Sequence, residues 1–106
     1  MSGDWIAVAD ADELAVGEMR AFLHGPERLL LVRAEDGYHV VDEMCSHEDY
    51  SLALGCIKGN RIKCSLHGSY FDLNSGAALD EPAESPIRVY PVKVESGRVF
   101  ARLPAA

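Results

Sequence analysis

Cysteine is scarce in this chain, with three residues in 106. An odd count gives no closed disulfide framework, and a reducing compartment makes one a poor expectation. Basic charge is also in deficit: ten Lys+Arg stand against seventeen Asp+Glu, a formal net charge of -7. A nucleic-acid binder needs a basic face, so that class is excluded as a reading, while a basic protein partner fits. Long apolar runs are missing. Residues 29–32, Leu-Leu-Leu-Val, fall far short of a membrane span. The start, Met1-Ser2-Gly3-Asp4-Trp5, has neither the basic nor the apolar region of a signal peptide. A cytoplasmic monomer is the expectation, with no membrane or nucleic-acid partner. No Gly-x-Gly-x-x-Gly stretch occurs, so the chain does not read as a dinucleotide enzyme.

What is present is a β-rich pattern. At 48% hydrophobic the chain suits one folded domain spanning 1–106. Ile6 and Val8 share one face of a first strand. Residues 18–23 alternate, placing Met19, Ala21 and Leu23 against Arg20 and Phe22. One amphipathic helix over 12–23 is the competing reading, disfavoured by Gly17. Gly25-Pro26 turns the chain. Strands at 29–34 and 38–42 flank Glu35-Asp36-Gly37, a strong hairpin signal. Short strands follow at 56–57, 61–63 and 70–72, with turns at Lys58-Gly59-Asn60 and Asn74-Ser75-Gly76. Residues 80–86 hold Pro82 and Pro86 and read as a loop. Residues 87–94 and 98–103 form a last hairpin around Glu95-Ser96-Gly97. Eight or nine short strands with little helix predict an all-β sandwich or small barrel.

The chemistry sits at Cys45-Ser46-His47 and Cys64-Ser65-Leu66-His67, sixteen residues apart. Two thiols and two imidazoles suffice for a metal centre, either zinc or a two-iron, two-sulfide cluster with mixed ligands. Zinc fingers pair their ligands by kind; here each cluster supplies one of each. The iron–sulfur reading accounts for that pairing: Cys45 and Cys64 on one iron, His47 and His67 on the other. Two ferric ions, two sulfides and two thiolates sum to zero charge, which eases reduction relative to a four-thiolate cluster. His24 and His39 lack thiol neighbours and read as ordinary strand or turn residues. Cys56 reads as a small buried hydrophobe, and Trp5, Phe22, Tyr38 and Phe100 as core.

Cys45-x-His47…Cys64-x-x-His67-Gly68 resembles the Rieske iron–sulfur signature. The likeness continues through Phe71-Asp72, Asn74-Ser75-Gly76, Pro82, Tyr90-Pro91-Val92 and Gly97-Arg98-Val99, and so covers nearly the whole chain. It is most similar to the small ferredoxins of bacterial multicomponent aromatic-ring dioxygenases, such as the biphenyl, cumene and naphthalene systems. The resemblance implies an antiparallel β-sandwich base carrying a cluster-binding subdomain at about 42–79, one [2Fe–2S] cluster, and residues 80–86 as its cover. It implies a one-electron carrier between an NAD(P)H-dependent flavoprotein ferredoxin reductase and a terminal aromatic-ring dioxygenase, and no catalysis of its own. A small nitrite-reductase subunit is the runner-up, and a structural zinc domain the other. Tyr50, Leu54, Leu66 and Pro82 are candidates for an apolar rim. Respiratory Rieske proteins carry an extra cysteine in each loop; here Asp49 or its neighbours and Leu66 stand there. Ser69 matches a serine that donates to the cluster, but Phe71 replaces a donor tyrosine. Fewer donors imply a low reduction potential.

Overall fold

A computed structural model describes residues 4–44, 51–64, 68–79 and 86–103. Ten strands occur among them: β1 (Asp4–Asp10), β2 (Met19–His24), β3 (Glu27–Ala34), β4 (Gly37–Asp42), β5 (Cys56–Lys58), β6 (Arg61–Lys63), β7 (Tyr70–Asp72), β8 (Val89–Tyr90), β9 (Val92–Glu95) and β10 (Arg98–Leu103). The only helical element among the described residues is a 3-10 turn, Leu52–Leu54. The strand alternative for 18–23 therefore holds and the helix does not.

All pairing is antiparallel. One sheet runs β1-β10-β9, a second β2-β3-β4-β8 and a third β5-β6-β7. Pro91 separates β8 from β9. Without an N–H it cannot carry a ladder onward, and the chain changes sheet there: Tyr90 pairs with Val40 of β4, and Val92 with Ala101 of β10.

The run 29–32 explains itself in this arrangement. Leu29, Leu30, Leu31 and Val32 are all fully buried. Leu29 and Leu31 join Tyr38, Val40, Val99, Ala101 and Leu103 in the core between the first two sheets. Leu30 and Val32 point the other way and join Val41, Leu52, Ile62, Cys64, Phe71, Leu73 and Ile87. Side chains alternate across a strand, so a strand covered on both faces needs apolar residues without interruption. Each such side chain contributes roughly 1.5–3 kcal/mol. Strand β3 is thus the shared wall of two cores, one for the base and one for the small third sheet.

Four expectations need correction, the first being Phe100: expected in the core, it alternates with the inward Val99 and Ala101 and lies beneath the Lys93 ammonium on the other face of β10. Leu23 is 72% exposed, whereas Phe22 packs against the base core; β2 alternates as expected, but it is Phe22 and not Leu23 that is packed. Trp5 is 39% exposed, with the Lys93 ammonium 4.6 Å from its ring centre. Its indole shares the outer face of the β1-β10-β9 sheet with its exposed register partner Arg102, and the cation from β9 covers it. Cys56 is exposed, because the inward residues of its hairpin are Ile57 and Ile62 and its own side chain falls on the outer face.

Candidate metal centre

Strand β6 ends at Lys63 and delivers Cys64 into the second core, where the residue is fully buried. Two backbone hydrogen bonds then close the chain on itself. The Cys64 N–H donates to the Ser69 carbonyl at 2.8 Å, and the Gly68 N–H donates to the Cys64 carbonyl at 2.8 Å. Gly68 has φ +75°, a conformation glycine adopts without a side-chain clash. The chain is therefore pinched where it enters and leaves residues 65–67, the second lobe, with Cys64 at one foot and the buried Ser69 at the other.

The first lobe is closed by different means. Strand β4 ends at Asp42, and Met44 bridges Ser51 across residues 45–50. The Leu52 N–H donates to the Glu43 carbonyl at 2.7 Å. The Glu43 carboxylate, on a residue only 6% exposed, accepts from the Ser51 hydroxyl at 2.6 Å and from Arg28 Nε at 3.1 Å. Ser51 Oγ in turn accepts from the Ala53 N–H at 3.2 Å and caps the 3-10 turn. A buried carboxylate is stable only when it is paired and hydrogen-bonded in this way. Glu43 was not legible as a site residue; its burial follows from pairing over distances of eight and fifteen residues.

The two lobes are joined at their roots. Gly55 ends the 3-10 turn and lies directly on the backbone of Lys63: a Cβ on it would come 1.7 Å from the Lys63 carbonyl oxygen. The next residue, Cys56, pairs with Lys63. Leu52, just beyond the first lobe, and Cys64, at the root of the second, share one core. The described flanks of both segments therefore meet at the Cys56–Lys63 end of the β5-β6-β7 sheet.

Of the four expected ligands, Cys64 is placed here. Cys45, His47 and His67 lie outside the described residues, as do Tyr50, Leu66 and Pro82. Leu54 is described and is 63% exposed. His39 is half-buried beside Asp36, its Nε2 at 2.8 Å from the carboxylate, an ordinary strand position as expected. Among the described residues no group of three or more His, Cys, Asp and Glu side chains could hold a metal. The expected cover falls largely on 80–85, also outside the described residues, but both of its flanks are anchored. The Leu79 N–H donates to Tyr70 O at 2.8 Å, and the Ile87 N–H to Gly76 O at 2.9 Å.

Arg88, next along, is fixed to the end of β4. Its backbone N–H and its Nε donate to Asp42 Oδ2 at 2.9 and 3.2 Å, and its other arm reaches Glu27. Those bonds hold its guanidinium pKa well above the ordinary arginine value. Tyr90 donates its hydroxyl to Asp42 Oδ1 at 3.2 Å. Burial, and then the Asp42 charge, push its phenol up to about 12.

These features fit an iron–sulfur centre. A fully buried thiol at such a foot would, as thiolate, be a soft ligand shielded from water. A second lobe rooted beside it supplies the other chain segment such a centre needs. The fold defines an all-β protein of three small antiparallel sheets, with Cys64 placed where it could serve such a centre.

Residues 4–91 match the family model described as Rieske [2Fe-2S] domain. The chain is 32% identical over 96 residues to the ferredoxin component of biphenyl 2,3-dioxygenase from Rhodococcus jostii, covering 91% of this chain and 90% of that one. It is 30% identical over 103 residues to the ferredoxin component of the naphthalene 1,2-dioxygenase/salicylate 5-hydroxylase systems of Ralstonia sp, covering 97% and 99%. Among solved structures it is similar to a complex of reduced oxygenase and oxidized ferredoxin in carbazole 1,9a-dioxygenase, with TM-score 0.87, 27% identity, and 96% of this chain and 95% of that chain covered. The chain belongs to the Rieske [2Fe-2S] domain family, among the ferredoxin components of bacterial ring-hydroxylating dioxygenase systems. It carries electrons through a single Rieske-type [2Fe–2S] cluster and is not itself an enzyme.

Proposed function

We propose that this chain takes single electrons from an NAD(P)H-dependent flavoprotein ferredoxin reductase and delivers them to a terminal aromatic-ring dioxygenase. The observation that carries the reading is the buried Cys64 at the foot of a pinched lobe, with a second lobe rooted against it. Cys45 and Cys64 would hold one iron, and His47 and His67 the other. When bound, the cluster gains and loses one electron without making or breaking bonds in a substrate. The protein's part is positional. The thiolates of Cys45 and Cys64 would neutralise metal charge, and the imidazoles of His47 and His67 would offer a path to a partner. Glu43, Ser51 and the Cys64–Ser69 pairing hold the roots still, so that little rearrangement accompanies electron gain.

The same reading makes 1–106 one domain with its cluster-binding part at about 42–79, a monomer working in the cytoplasm. Among the described residues no helix is long and apolar enough to cross a membrane. The test is reconstitution with purified flavoprotein reductases and terminal ring-hydroxylating oxygenases. NADH-dependent reduction of the oxygenase through this chain is the expected result. Cys64→Ser, and separately His67→Ala, should lose iron, acid-labile sulfide and visible colour. No transfer to any oxygenase, with transfer to a nitrite-reductase-type enzyme instead, would overturn the assignment.

A further inference from the structure

The β5-β6-β7 sheet has an inner and an outer face. Ile57, Ile62 and Phe71 point inward to the core. Cys56, Lys58, Arg61, Lys63, Tyr70 and Asp72 share the outer face, paired Cys56↔Lys63, Lys58↔Arg61, Lys63↔Tyr70 and Arg61↔Asp72. Three of the ten Lys+Arg of a chain with net charge -7 therefore stand on one three-stranded patch. Lys58 and Arg61 are direct cross-strand neighbours, and like charges in that position destabilise a sheet.

Nothing among the described residues offsets them. Asp72 is in register with Arg61, but its carboxylate accepts from the N–H groups of Asn74 and Ser75 at 2.7 and 3.1 Å and forms no described ion pair with Arg61. Five other cations contrast with these three: Arg20, Arg28, Arg88, Lys93 and Arg98 each face a carboxylate. Arg61 and Lys63 instead flank the Tyr70 ring, 4.8 and 5.8 Å from its centre. The ring steadies their side chains and leaves their charge available.

We propose that the outer face of β5–β7, centred on Lys58, Arg61 and Lys63, docks an acidic surface of a redox-partner protein. The proposal rests on the electron-carrier reading and adds to it which flank the partner meets. An acidic molecule meets a uniformly basic partner through most of its surface; only an acidic patch on the partner selects this flank. The repulsion between Lys58 and Arg61 is relieved when carboxylates arrive. Lys63 immediately precedes Cys64, so a partner seated there lies beside the second lobe.

The experiment uses the cluster-loaded protein with the reductase and the oxygenase of the reconstitution above, each assayed by stopped flow across ionic strength. Lys58→Glu and Arg61→Glu sit at the hairpin turn, the end of β5 and β6 opposite the Cys56–Lys63 pair. Lys58→Glu also places opposite charges across the strand pair, so its Tm holds or rises. The expected result is electron transfer with one partner slowed on the order of tenfold at low salt, with a flatter salt dependence. Iron content and midpoint potential stay unchanged. Alkylating Cys56 with a bulky neutral maleimide should slow the same step, and Cys56→Ser should be insensitive to the reagent. Full-rate transfer with an unaltered salt dependence in both charge variants overturns the docking face alone. No transfer by the unaltered protein overturns the carrier reading and this proposal together.

Discussion

The Glu43 carboxylate takes the Ser51 hydroxyl at 2.6 Å across the mouth of the first lobe. One side chain belongs to the chain entering residues 45–50 and the other to the chain leaving them. The bond therefore fixes the lobe's span independently of whatever the lobe holds. Ser51→Ala removes both this bond and the cap on the Ala53 N–H. The expected cost is about 1–3 kcal/mol of stability. Thermal unfolding of the cluster-loaded protein measures it, and visible colour should bleach faster under mild denaturant. An unchanged bleaching rate would remove the bond from any part in holding the centre.

Gly55→Ala tests the joint between the lobes. With a Cβ 1.7 Å from the Lys63 carbonyl oxygen, backbone must move on one side or the other. Overpacking of this kind costs about 1–3 kcal/mol or more, and the displaced segment leads straight into Cys64. Expression followed by iron and sulfide analysis should give a substoichiometric cluster. Full loading at the parent Tm would contradict the close approach.

Phe71 is fully buried in the core that holds Cys64. By resemblance it stands where other Rieske proteins have a donor tyrosine. Phe71→Tyr should raise the midpoint potential, because a hydroxyl donor stabilises the more negative reduced state. Protein-film voltammetry reads this directly, with the parent expected below zero. A parent midpoint above zero would overturn the low-potential assignment.

Tyr90 sets an alkaline limit. Its folded-state pKa is raised from 10.0 to about 12, chiefly by burial and then by Asp42. The folded state thus holds the phenolic proton more tightly than the unfolded chain. That contribution is complete below pH 10 and is lost as pH rises through 12. Denaturant titrations from pH 9 to 12 should show stability falling in this window, and Tyr90→Phe should flatten the fall. Equal slopes in parent and variant would show that another group controls it.

Much of this was readable from residue order. Glycine-marked turns and short alternating segments give the strands, because both are local effects. The paired Cys-His clusters point to a [2Fe–2S] centre because ligand chemistry is local too, and the family model matches that cofactor. What escaped depends on the third dimension. Cys56 looks like core by composition, yet the two-residue period set by Ile57 and Ile62 turns it outward. Glu43 looks like another surface acid, yet Ser51 and Arg28 reach it only after the sheets assemble. Leu23 keeps its period and is still 72% exposed among the described residues.

The doubly covered strand has a consequence for how the molecule comes apart. Leu29 and Leu31 belong to one core, Leu30 and Val32 to the other, and this run of β3 cannot leave one without disturbing the other. The part that carries the electron has no private stability. Melting followed by backbone circular dichroism and by loss of visible absorbance should coincide in one cooperative transition. Damage to the base then silences the carrier as surely as damage to its ligands.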